Sequence, residues 1–128
     1  MPTKFLPALL WLITITYLST QGGIPAPEFN LIQMDKLGHA AAYALLVWLL
    51  LFGWYRFGTK RVDWTVGLPV FLAASGYGIL MEFVQYSWFP NRHFEVDDML
   101  ANALGAATAW LTFDTLKQLV RTFQTEKT

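Results

Sequence analysis

Apolar residues in this chain gather into four long stretches, separated by segments rich in Gly, Pro and charge. Each stretch comes near the roughly 20 residues that a ~30 Å hydrocarbon layer requires. The pattern predicts an all-α integral membrane bundle of four transmembrane helices, at about 5–20, 37–57, 66–88 and 99–113, with a tail over about 114–128. No internal repeat or linker divides it, so residues 1–128 read as a single domain. Pro7 falls in the first turn of the first helix, where a missing backbone N–H costs little. Lys4 ahead of an apolar run also resembles a secretory signal, but no small-x-small cleavage site follows cleanly, and a retained first helix is expected.

The second helix carries Trp48, Trp54 and Tyr55 toward its later half, a placement suited to an interfacial aromatic belt. The third enters through Gly67 and Pro69 and contains the small run Ala73-Ala74-Ser75-Gly76, where close helix packing is expected. In the fourth, Ala101, Gly105 and Ala109 recur every four residues, a seam that suits a neighbouring helix or a second copy of the chain.

Composition agrees with lipid as the solvent. Of 128 residues 55% are apolar and 14% charged, too little polar sequence to cover the surface a water-soluble domain of this size leaves exposed. Nine basic and nine acidic residues balance, which gives no reason to expect nucleic acid as a partner. The absence of cysteine excludes disulfides, thiolate metal sites and cysteine nucleophiles.

Charge location matters more than its sum. With the N-terminus inside, Lys4, Arg56, Lys60, Arg61, Lys117, Arg121 and Lys127 lie on the inner side, against Lys36 and Arg92 outside. Basic residues concentrate on cytoplasmic loops, so the expected topology is N-in, C-in.

The two outward connections then carry most of the remaining polar chemistry. Ionisable groups at the centre of a membrane helix cost about 2.5–3.5 kcal/mol each on insertion scales, so each calls for a partner or a purpose. Asp35, His39 and Tyr43 are spaced by four and share one helix stripe, with Lys36 beside them. Glu82 lies 16 residues beyond Val66, about 24 Å along a straight helix, which puts it in the outer leaflet. Gln85 shares its face, and Asp98, Asn102 and Gly105 share one face of the fourth helix, with Asp97 aimed about 100° away from Asp98.

Three helices thus present polar groups at one depth. Plainer roles are open for each: Asp35, Asp97 or Asp98 as N-caps, Lys36 snorkelling, His39, Tyr43 and Asn102 as interhelical glue, Glu82 in an ion pair with Arg92 or Lys36.

The ordered set Tyr17-Leu18-Ser19, Asp35-Lys36-Leu37-Gly38-His39 with Tyr43, Glu82 with Gln85, Arg92, Asp97-Asp98, Asn102 and Gly105 resembles the VanZ-like family of small bacterial membrane proteins over about Leu6 to Leu111. The family is named for a protein associated with resistance to teicoplanin. The resemblance implies a plasma membrane protein with envelope work.

Three functions compete. The first is an outward site for the head group of an anionic membrane lipid or lipid-linked envelope precursor, or for a glycopeptide. Asp35, Lys36, Tyr43, Gln85, Arg92, Asp97 and Asn102 would bind, and Glu82, His39 and Asp98 would be the acid–base groups if chemistry occurs. Binding is favoured over catalysis, because a reaction needs these groups to converge on one substrate position. A metal-assisted version, with His39 and the carboxylates as ligands, is a lesser alternative: no spacing matches a recognised metal-ligand motif, and neither a metal nor another cofactor is expected. The second is a proton- or ion-coupled transporter, which would need polar residues through the full membrane depth. The third is an accessory protein whose polar cluster holds its helices together.

Overall fold

The computed structural model describes residues 3–20, 31–56, 60–89 and 94–127, with the side chains of 31–34 outside the description. A 3₁₀ turn over Thr3–Phe5 leads into α1 (Leu6–Thr20), followed by α2 (Leu31–Tyr55), α3 (Trp64–Trp88) and α4 (Val96–Thr125). The all-α expectation holds, with four helices at the expected places. Among the described residues, Asp35–Tyr55 and Trp64–Trp88 are long and apolar enough to cross a membrane by length and composition.

Three boundaries move, for physical reasons. The second helix begins at Leu31 rather than 37, since the polar residues Gln33, Asp35 and Lys36 end an apolar pattern without breaking a helix. Asp35 is therefore a helical residue and not a cap. The fourth helix runs on to Thr125, well beyond Phe113. Its last third has no Gly or Pro and is rich in Leu, Lys, Gln and Arg, so helix propensity persists after hydropathy fades. The third starts at Trp64 because Asp63 caps it, accepting from the Thr65 and Val66 N–H groups at 3.0 and 3.3 Å. The Thr65 hydroxyl and these amides hold the Asp63 carboxyl below its usual range.

α2 and α4 form the most extensive helix pair, with α3 against both and α1 against α2 and α3. The approach of α2 to α4 depends on Gly105: a Cβ there would lie 2.0 Å from the Ala40 carbonyl oxygen. Ala101 and Ala109 are buried along the same line, so the seam is used within the chain. The run Ala73 to Gly76 behaves differently, with only Ala74 fully buried and open space beside Gly76. Close packing on α3 falls instead at Gly67, against the Trp110 indole, and at Gly78. Trp48 packs edge-on against Phe113, 6.3 Å between centroids, rather than joining a belt with exposed Trp54.

Leu46, Val47, Leu51, Ala74, Ala106, Ala109 and Phe113 make the apolar centre. α1 is tied on by Trp11 Nε1 donating to the Ala42 carbonyl at 2.9 Å and by a hydroxyl pair between Thr16 and Tyr77. At the end of the bundle near the α2–α3 connection, buried Lys117 donates to the Lys60 carbonyl at 2.5 Å, and Asp114 accepts the Val62 N–H at 3.2 Å.

The distribution of polarity is inverted relative to a water-soluble protein. Leu10, Ile13, Leu37, Leu72, Leu80, Phe83, Leu104 and Leu111 are exposed, while Glu82, Gln85, Asp98 and Asn102 are buried. Buried polar groups under a large exposed apolar surface fit a molecule whose outer solvent is apolar.

Candidate functional site

The buried polar groups converge at the end opposite Lys117. Because α2 extends back to Leu31, its stripe runs from solvent into the core: the Asp35 side chain is 57% exposed, that of His39 24%, and Tyr43 is buried. α4 supplies the facing wall. Its first turn holds Asp97 and Asp98, an end of the helix dipole that favours negative charge. Asp98 is buried and Asp97 exposed, so only Asp98 enters the cluster.

Lys36 bridges the two helices, with Nζ 3.0 Å from Asp98 Oδ1 and 3.9 Å from Glu95 Oε2. One turn deeper, His39 Nδ1 lies 3.2 Å from Asn102 Oδ1. With the amide oxygen facing the ring, Nδ1 is the donor, which in a neutral imidazole leaves a lone pair on Nε2. Nε2 faces two carboxylates, Asp98 Oδ2 at 3.5 Å and Asp35 Oδ1 at 3.7 Å.

α3 closes the cluster from below. Glu82, buried, accepts the Glu95 N–H at 2.7 Å and so fixes the entry to α4. Gln85 turns the other way and donates to the Ser19 carbonyl at 2.8 Å, satisfying part of the exposed end of α1. Gly78 makes room for Asn102 and Tyr43: a Cβ there would meet Asn102 Nδ2 at 2.8 Å and Tyr43 Cε1 at 3.3 Å.

Of the residues expected from sequence, Lys36, His39, Asp98 and Asn102 form one connected group with Asp35 at its rim. Tyr43 and Glu82 support it from within, Gln85 serves the junction with α1, and Arg92 lies outside the described residues. Sequence reasoning missed two participants. Glu95 sits one helical turn before Asp98, and Gly78 one turn before Glu82, so both were open to discovery by extending those stripes. The Asp98 side chain beside it, then burial, push the Glu95 carboxyl above its usual range.

Electrostatically the site is crowded with acid. Asp35, Glu82, Glu95 and Asp98 stand against one described lysine, with exposed Asp97 outside the cluster. Below it the interior is apolar from Leu46 to Leu51 on α2 and from Ala106 to Ala109 on α4. Asp114, the next acid on α4, comes 12 residues after Asn102, about 18 Å along the helix. Among the described residues, no acidic or basic side chain of α4 lies between Asp98 and Asp114.

The sequence pattern of the VanZ/LLP1 family matches residues 3–117, which takes in α1, α2, α3 and α4 as far as Lys117. No curated protein and no solved structure matches the chain.

Proposed function

The chain belongs to the VanZ/LLP1 family, and from that premise we propose that it crosses the bacterial plasma membrane four times, both termini inside. Its polar cluster faces outward and takes the head group of an anionic lipid or lipid-linked envelope precursor. Teicoplanin resistance, implied by the family resemblance, is one setting for such a site.

The observation that carries this reading is Lys36. Its ammonium is held 3.0 Å from Asp98 with its side chain 27% exposed, at the rim of a polar cluster in an apolar-coated bundle. A lipid in the surrounding layer can bring its phosphate there without leaving the membrane. Supporting the orientation, exposed Arg56, Lys60 and Arg61 gather at the opposite end. Binding remains favoured over chemistry, because Glu82 is engaged in holding the Glu95 N–H.

A second reading has its own observation. The polar contacts join helices, Lys36–Asp98 and His39–Asn102 linking α2 to α4 and Gln85–Ser19 linking α3 to α1. Native mass spectrometry of the chain in mild detergent separates the two. Wild-type protein is expected to retain a phosphate-bearing lipid, and Lys36→Ala to lose most of it while still folded. Unchanged lipid per folded chain, with lowered stability, would leave the cluster as glue alone.

A further inference from the structure

We propose that Asp35, His39 and Asp98 bind one divalent transition-metal ion. One ligand atom from each of the three lies within 4.8 Å of the others. The donor set, one imidazole nitrogen and two carboxylate oxygens, is one that first-row divalent ions accept.

Two distances set these groups apart from directly hydrogen-bonded ones. A charge-assisted N–H···O bond from an imidazolium would bring nitrogen and oxygen to about 2.7–2.9 Å. Here Nε2 stands 3.5 Å from Asp98 Oδ2 and 3.7 Å from Asp35 Oδ1. Tetrahedral ligands each about 2.1 Å from a zinc-sized ion lie about 3.4 Å apart. The spacing is long for hydrogen bonds and close to that of ligands around a shared ion.

A separate feature points the same way. The buried Asn102 amide holds Nδ1 as donor, and a ligating histidine characteristically gives its other N–H to such an outer partner. Lys36 occupies Asp98 Oδ1 and leaves Oδ2 for the ion. Asp35 and His39 are both partly exposed, so the ion has a path in, and a fourth position is left toward the outside. What that position does rests on the head-group reading: a divalent charge there would draw a phosphate oxygen into a site where carboxylates otherwise repel it.

The test is a Zn²⁺ titration of the purified full chain, stripped with chelator and held in mild detergent, followed by calorimetry. One saturable site per chain is expected. Asp35→Asn, a change at an exposed side chain that should leave helicity intact, and His39→Ala should each weaken binding at least about tenfold, and Asn102→Ala about 10–100-fold. Absence of a saturable site in folded wild-type protein overturns the inference, as does Zn²⁺ binding that survives both Asp35→Asn and His39→Ala. Lipid retention measured with and without Zn²⁺ separates the two claims. One ion bound through these residues, with retained lipid unchanged, supports the metal site and removes its link to the head group. Lipid held through Lys36 with no ion bound overturns the metal site alone.

Discussion

Gly105→Ala is expected to strip most of the folded protein from the membrane. The added methyl would sit 2.0 Å from the Ala40 carbonyl oxygen, 2.7 Å from its carbon and 2.8 Å from Ala40 Cα. All three are backbone atoms, so no rotamer change relieves the clash and α2 itself must move. Overpacking a well-filled interior costs about 1–3 kcal/mol, and here it falls on the most extensive helix pair in the molecule. The displacement also reaches the site, because Ala40 follows His39 and Gly105 lies one turn from Asn102. Membrane accumulation and thermal unfolding in detergent would measure it, with Leu104→Ala at a 67% exposed neighbour as the benign comparison. A Gly105→Ala protein that accumulates and melts like the parent would contradict the described packing.

Asp98→Asn is expected to destabilise strongly while Asp97→Asn does little. The first keeps the shape of the side chain but removes the charge that Lys36 meets at 3.0 Å inside the bundle. Hydrogen bonds to charged groups are worth about 1.5–3 kcal/mol. Lys36 would be left with Glu95 at 3.9 Å. Asp97 points out from the first turn of α4, and a surface substitution of that kind usually stays within about 0.5 kcal/mol. Chemical unfolding of the two variants side by side checks the contrast, and equal losses would remove Asp98 from its central place.

These two aspartates also mark how far sequence reading reaches. Helical periodicity established that Asp97 and Asp98 face different ways, but it gave no ground for choosing between them; the choice is made by α2, whose Lys36 and His39 meet only Asp98. The stripe Asp35, His39, Tyr43 was legible because three residues spaced by four share a face in any α-helix. Its gradient from exposed to buried was not, since that depends on α2 beginning at Leu31. Hydropathy locates apolar length rather than hydrogen-bonded length, which is also why the helix runs on to Thr125 past the end of the apolar pattern. The convergence of Asp35, His39 and Asp98 was legible only in part: Asp35 and His39 are one turn apart, but Asp98 lies 63 residues after Asp35, and only the fold brings it to them. Small residues were a mixed guide. Gly105 makes the closest approach of α2 to α4, whereas Gly76 borders open space, because a small side chain permits contact without supplying a partner.

The polar contacts carry a further consequence. Glu82 accepts the N–H of the residue that also faces Lys36, and Lys36 meets Asp98, so α2, α3 and α4 are coupled through a few charged atoms. A ligand that engages Lys36 therefore acts on the entry of α4 as well as on the mouth of the site.

The central claim is that this cluster opens on the outside of a membrane-spanning bundle. Cysteine accessibility tests it most directly, since the chain has no cysteine of its own. Single cysteines at Asp97, beside the cluster, and at Arg61, in the α2–α3 connection, would be treated in intact cells with a membrane-impermeant maleimide. Labelling is expected at position 97 in intact cells and at position 61 only after lysis; the reverse pattern, or equal labelling of both before lysis, would contradict an outward-facing cluster.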